Sequence, residues 1–455
     1  METKLSNGRR ALFGLQHLFA MFGATILVPL LTGLSVQVTL VAVGIGTIVF
    51  HLISGINKAP PVFLGSSFAF MVGIRTITDP ANGVFAIAGW ADMDAATQTA
   101  LRSEHIQSVL PYATGGIMIA GGLYLLLALL VKLVGVKTVM KYLPTVVTAP
   151  TVILIGVMLA PFAITQSNSN LILAGVTLVL IIFFAIWGKK MLKIIPILLG
   201  ICGAYIVAVI MQYVFGLTNP DGSVILNFGR AGTDIVGLPP FLWPKFNLVS
   251  ILIMIPFALA TIAEHIADMV ILTRVSGKDY IHDPGLARTL TGDGLATVIG
   301  GAIGGPATTT YSENVGVVTL TKIFDPRVLQ LAAIYAVVLG FSPLFASFIY
   351  SIPDAIIGGA SFILYGMIAA VGIRNLVDDR VNLGEMRNCI IVAVMLVIGL
   401  GLRFGPVITF NIGNNSIPVD RLGVVIAVVL GILLNIILPK SESDKIGQEK
   451  VETDK

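Results

Sequence analysis

Hydrophobic positions in this chain do not alternate with polar ones. They come in long unbroken runs. Runs long enough to cross a bilayer, or nearly so, lie at 12–32, 36–54, 63–78, 110–131, 143–162, 169–187, 193–215, 249–272, 286–303, 306–321, 328–349, 353–372, 387–402 and 421–438. A spanning helix needs about 20 mostly apolar residues, so the pattern predicts an all-α polytopic membrane protein of fourteen segments. The stretches 79–109 and 216–248 read as long loops on one side, with turn residues at Asp79-Pro80 and Asn219-Pro220-Asp221-Gly222. The part after Pro439 reads as a charged tail.

Composition agrees. Of 455 residues, 56% are hydrophobic and 11% are charged, and the mean hydropathy is +0.94. Soluble domains carry about 25% charged residues. The net charge of +4 comes from basic residues placed singly between runs, which excludes a nucleic-acid-binding patch. With fourteen segments, both termini fall on one side. That side holds all but six of the 28 Lys and Arg residues, the exceptions being Arg75, Arg102, Arg230, Lys245, Arg403 and Arg421. The bias puts both termini in the cytoplasm, and a miscounted span would erase it. Arg9 and Arg10 precede the first run, which has no small-residue cleavage site and reads as a retained helix. Cys202 and Cys389 lie in apolar stretches and imply neither a disulfide framework nor a metal site.

The chain repeats itself. Residues 143–158 read LPTVVTAPTVILIGVM and residues 352–367 read IPDAIIGGASFILYGM. These are segments 5 and 12, seven apart, so the second copy must lie inverted. A weaker echo pairs Gln16-His17 in segment 1 with Glu264-His265 in segment 8. Segment 3 (APPVFLGSSFAFMVGI) and segment 10 (GGPATTTYSENVGVV) are both short and Pro-led, with Ser, Thr and aromatic residues where leucines are expected. Short interrupted segments at matching places in two halves point to a transporter's binding site. Each is predicted to begin as a short extended strand and continue as a half-helix. The two strands would pair at the pseudo-two-fold axis, with free helix N-termini at the midplane.

Glu264, Asp268, Asp293 and Glu313 sit inside predicted spans. Each costs about 2.5–3.5 kcal/mol at mid-membrane, so retention argues for function, with a proton the natural partner. Glu264 and Asp268 are four apart and share a helix face. His265 points about 100° away from Glu264. Gln16 and His17 read more readily as interhelical hydrogen-bonding groups than as ligands. Asp293, near the start of its run, suits a helix cap as well as a functional role. Glu313 follows Tyr311 and Ser312 at the start of the second half-helix, among free N–H groups. Two carboxylates facing backbone donors fit a planar solute with alternating N–H and C=O edges better than an amino acid or a sugar. A membrane enzyme would need a nucleophile or metal set, and no such spacing occurs. An anion carrier would want a basic centre.

Four blocks now carry a resemblance: LQHLFAMFGAT at 15–25, GSSFAF at 65–70, AEHI at 263–266 and TYSENVG at 310–316. Across its whole length the chain resembles the nucleobase–ascorbate transporter family, and within it the bacterial uracil permeases. The resemblance implies a seven-plus-seven inverted repeat. It implies a core domain from 1–135 and 249–350, a gate domain from 136–248 and 351–438, and a cytoplasmic tail at 439–455. It also implies homodimers, an inner-membrane location, and elevator-like import of uracil by proton symport with no further cofactor. Glu264 and Glu313 would hold the base's polar edge, with backbone bonds at Phe68 and Ser312. Phe68, Tyr311 and Ser67 would lie close by. Asp268 and His265 would join the glutamates in proton coupling, and Gln16, His17 and Asn314 would support the site. Glu313 favours uracil over xanthine, urate or another purine. Asp268 stands where some uracil permeases have His, which implies a coupling network built from carboxylates.

Overall fold

The computed structural model describes residues 5–81, 83–135, 144–193, 195–228, 232–405, 408–412 and 415–439. The expected tail thus lies almost wholly outside the described residues. In chain order the helices are α1 (Asn7–Thr32), α2 (Val36–Ser54), α3 (Ala69–Thr78), α4 (Ala95–Val134), α5 (Thr145–Ser167), α6 (Leu171–Trp187), α7 (Pro196–Tyr213), α8 (Leu248–Ser276), α9 (Leu286–Ala302), α10 (Ser312–Thr321), α11 (Pro326–Gly340), α12 (Pro343–Tyr350), α13 (Asp354–Asp378), α14 (Met386–Phe404) and α15 (Gly423–Ile437). Strand β1 (Leu64–Ser66) precedes α3, and β2 (Thr308–Thr310) precedes α10. A hairpin of β3 (Thr409–Ile412) and β4 (Asn415–Pro418) precedes α15. Among the described residues, eight helices are long and apolar enough to cross a membrane, and nine spans result if the bent pair α11–α12 counts as one.

Local chemistry sets the ends. Ser6, Ser35, Asn170 and Asn247 accept from backbone N–H groups three residues on, capping α1, α2, α6 and α8. Two expectations need correcting. The run at 328–349 is not one straight helix but two, α11 and α12, bent by 87°. Ser342 caps the second helix at Phe345, and Pro343 has no N–H with which to continue the first. The loop expected at 79–109 gives way to helix at Ala95, because Asp94 caps the N–H of Thr97 at 2.9 Å ahead of good helix formers.

The chain forms two compact units, Met1–Lys132 with Ala160–Leu364, and Leu133–Leu159 with Tyr365–Lys455. These do not coincide with the core and gate pieces expected from the repeat. In the first unit, α2 lies buried between α9 and α11. Gly44 lets it approach Ala333 and Val337, and Gly46 lets it approach Ala296. A methyl at Gly44 would fall 2.6 Å from the Ala333 carbonyl. Helix α7 also belongs to this unit, with Ile197 against Gly23 of α1. In the second unit, Gly372 sits on Ala149 and Ile153, Gly399 on Leu154 and Gly431 on Met395. Thr145 there donates to Asp379.

The internal repeat has a local structural counterpart. The Pro144 carbonyl accepts from Val147 and Thr148, and the Pro353 carbonyl accepts from Ile356 and Ile357. The same first turn therefore opens α5 and α13.

Candidate functional site

Segments 3 and 10 meet as expected. β1 and β2 pair antiparallel, with Leu64 opposite Thr310, Gly65 opposite Thr309 and Ser66 opposite Thr308. The pairing continues one residue on each side: Ser67 N–H donates to the Ala307 carbonyl at 2.9 Å, and Tyr311 N–H donates to the Phe63 carbonyl at 3.1 Å. Each strand is bracketed by a threonine. Thr47 of α2 accepts from Leu64 N–H at 3.0 Å and donates to its carbonyl at 3.3 Å. Thr297 of α9 does the same for Thr308, at 3.2 and 3.1 Å. The ladder alone would leave these strand groups short of partners in a water-poor interior, and the threonines supply them.

Each strand hands over to a ten-residue helix, α3 after Phe68 and α10 after Tyr311. Neither helix start has a side-chain cap bond. The first-turn N–H groups and the positive end of the helix dipole thus face the crossing, with no acidic residue in the first turn of α3. Glu313 lies in the first turn of α10. Phe68, Ala69, Glu264 and Glu313 are half-buried, although the strands beside them are wholly buried. Backbone donors, an aromatic ring and two carboxylates therefore border an opening at the strand crossing.

Helix α8 packs against α3, α10 and β2 and brings in the acidic residues. Asp268 is buried and accepts from the Thr310 hydroxyl at 2.6 Å, which fixes its carboxylate at the end of β2. Glu264 lies within electrostatic reach of Asp268, Glu313 and Asp293. His265 turns away from the opening. Its Nδ1 lies 3.0 Å from Asp293 Oδ2, both side chains are fully buried, and its ring packs edge-on against Phe50. Asp293 sits two turns inside α9, so the helix-cap reading is wrong; it is an interhelical partner.

The remaining expected residues divide. His17 is buried in α1 and accepts at Nδ1 and at its carbonyl from the Asn314 amide, 3.1 and 3.2 Å away. This ties α1 to α10. Gln16 beside it is half-buried. Ser67 is buried, and its hydroxyl has no hydrogen-bond partner among the described residues. Tyr311 does not face the opening. Its ring lies over Gly65, its hydroxyl donates to the Ser66 carbonyl at 2.7 Å, and Thr25 donates to that hydroxyl at 3.4 Å. The Ser312 side chain lies outside the described residues; its backbone opens α10. Thr310 and the bracketing Thr47 and Thr297 are not among the site residues that the sequence predicts. Thr310 lies in a hydroxyl-rich run and in the block TYSENVG, and nothing local marks its hydroxyl as the group that reaches Asp268 on another helix.

A family model with the description "Permease family", Xan_ur_permease, matches residues 8–408. The chain belongs to this family, the nucleobase–ascorbate transporters. It is similar to the uracil permease of Bacillus subtilis (strain 168), with 36% identity over 446 residues covering 95% of this chain and 93% of that protein. It is similar also to the uracil permease of Bacillus caldolyticus, with 36% identity over 457 residues covering 96% and 94%. Among solved structures, the transmembrane domain of the cyanobacterial bicarbonate transporter BicA aligns with a TM-score of 0.56 at 16% identity, covering 96% of this chain and 99% of that one. Murine Slc26a9, an anion transporter in the inward-facing state, aligns with a TM-score of 0.65 at 13% identity, covering 96% and 69%. The fold is that of multi-pass membrane transporters, and the permease is a transporter rather than an enzyme.

Proposed function

We propose that this permease imports uracil or a closely related nucleobase by proton symport, with both termini in the cytoplasm and the cell membrane as its location. The observation that carries this reading is the pair Glu264 and Glu313, half-buried at the strand crossing beside two uncapped helix starts. A carboxylate accepts from a base N–H, and a helix-start N–H donates to a base carbonyl. Both patterns are present on one pyrimidine edge. The names of the bacterial relatives support uracil. Glu264, Asp268, Asp293 and Glu313 form an electrostatically connected group that can share a proton taken up with the base.

The reading includes a fourteen-span, seven-plus-seven inverted repeat. Its support is that the eight long helices, the bent pair, the shorter α3, α6 and α15, and then α9 and α10 together make fourteen. The two strand-to-half-helix units and the two Pro-led helix starts repeat in pairs. It includes elevator-like motion of a core (1–135, 249–350) against a gate (136–248, 351–438), and a homodimer.

The test is uptake of labelled uracil into proteoliposomes, with and without an inward proton gradient, in competition with xanthine and urate. Gradient-stimulated uptake that only pyrimidines inhibit is expected. Inhibition by purines alone would move the substrate, and indifference to the gradient would remove the proton. One variant probes coupling. Hydrogen bonds to charged groups are worth about 1.5–3 kcal/mol, so Thr310→Val, which frees the Asp268 carboxylate from its hydroxyl, is expected to slow uptake on the order of tenfold while uracil still binds. Wild-type uptake by Thr310→Val would detach that bond from transport.

A further inference from the structure

The segment 232–247, between α7 and α8, is not shaped like a water-exposed loop. Its backbone is held at four places. Gly237 N–H donates to the Phe341 carbonyl at 2.8 Å, and Leu344 N–H donates to the Asp234 carbonyl at 2.9 Å. Leu242 N–H donates to Ile303 at 3.2 Å, and Lys245 N–H donates to Pro111 at 2.8 Å. Pro239, Pro240 and Pro244 stiffen it further. Its side chains nevertheless turn outward. Ile235 is 74% exposed, Val236 77%, Leu238 84% and Trp243 83%, and only Asp234 and Lys245 carry charge. A strap fixed at four points cannot fold these groups inward, so something other than water must cover them.

The anchor points say what. Ile303 closes α9, Phe341 lies in the bend between α11 and α12, Pro111 opens the apolar part of α4, and Asn247 caps α8. Ile303 and Asn247 are ends of membrane-crossing helices, so the strap runs near the level where α8 and α9 leave the hydrocarbon. Its apolar surface continues into exposed residues of the helices it joins, Leu248 on α8 and Phe348 on α12. A Trp with aliphatic neighbours and a Lys is the composition that settles at the headgroup–acyl boundary. We infer that residues 232–247 form an interfacial strap that seats in the lipid boundary of the bilayer and ties together the end of α9, the bend between α11 and α12 and the start of the apolar part of α4. The inference stands on the membrane-spanning fold and is independent of what is transported.

The chain has three tryptophans, Trp90, Trp187 and Trp243, so the double variant Trp90→Phe/Trp187→Phe leaves one reporter in the strap. In liposomes, lipids brominated near the glycerol end of the acyl chain are expected to quench roughly half or more of its emission, as befits an interfacial ring. Lipids brominated near the methyl end should quench less, and aqueous iodide little. Strong iodide quenching without bromolipid quenching would place the strap in water and overturn the inference. Protection from all three quenchers would mean that protein, such as a second copy, covers the strap, and would overturn it equally. No substitution falls in the strap itself, so misfolding of a strap variant cannot mask the outcome.

Discussion

Glu264→Gln is expected to abolish proton-driven uptake, and Glu313→Ala to do the same. The two losses have different causes. The glutamine in Glu264→Gln would keep the size and hydrogen-bonding reach of the side chain but could not bind and release a proton. It would also remove one negative charge from a group in which Asp268, Asp293 and Glu313 all act on Glu264. Uracil binding is therefore expected to weaken less than transport. The truncation in Glu313→Ala would remove an acceptor from the first turn of α10, where the helix start has no cap of its own. A hydrogen bond to a charged group is worth about 1.5–3 kcal/mol, so binding should fall on the order of tenfold to a hundredfold. Equilibrium binding measured beside gradient-driven uptake separates the two. If Glu264→Gln transported uracil at the wild-type rate, the carboxylate would not be the coupling group. If Glu313→Ala bound normally, the residue would not be a ligand.

The second large effect concerns a residue with no chemistry of its own. A methyl at Gly65 would fall almost on top of Cζ and Cε2 of Tyr311, far inside van der Waals contact. These are rigid ring atoms flanked by strand backbone and cannot slide aside as a flexible side-chain end would. Gly65→Ala must evict the ring, and with it the bonds from the Tyr311 hydroxyl to the Ser66 carbonyl and from Thr25 to that hydroxyl. Overpacking costs about 1–3 kcal/mol before the lost hydrogen bonds are added. Because β1 and β2 are only three residues each and set the starts of α3 and α10, the loss should reach the site. Gly65→Ala is expected to lower the melting temperature and abolish uptake. Tyr311→Ala in the same chain should restore part of the stability, since the clash is with that ring. If the double variant were no more stable than Gly65→Ala alone, the clash would not be the cause.

Much of this was visible in the amino-acid order. The apolar run at 36–54 became α2 residue for residue and the run at 12–32 became all but the first turn and a half of α1, because in hydrocarbon a helix must satisfy its own backbone. The broken character of segments 3 and 10 was visible because Pro, Ser and Thr there contradict an ordinary span. Their pairing was visible because they occupy matching places in a repeat. The bend in the run at 328–349 is marked locally by Ser342 and Pro343, in the same terms that mark other helix starts, but hydropathy alone runs straight through it. What no local pattern carries is rotation. Nothing near Tyr311 says that its ring turns over Gly65 rather than toward the opening. His265 of α8 finds Asp293 across to α9, a helix whose place is set by close approaches to other elements: Gly294 against Tyr124 of α4, and Ala296 against Gly46 of α2.

By itself the sequence determined the membrane class, the positions of the broken segments and the carboxylates that sit in spans. These follow from composition and local periodicity, which act over a turn or two of chain. Tertiary structure alone decided which hydroxyl meets Asp268, that Asp293 is a partner rather than a cap, that Tyr311 faces inward and that residues 232–247 bond to the backbone of α4, of α9 and of the bend between α11 and α12. Those outcomes depend on the rotation and close approach of helices far apart in the chain, and that is a property of packing between elements, written in no single one of them.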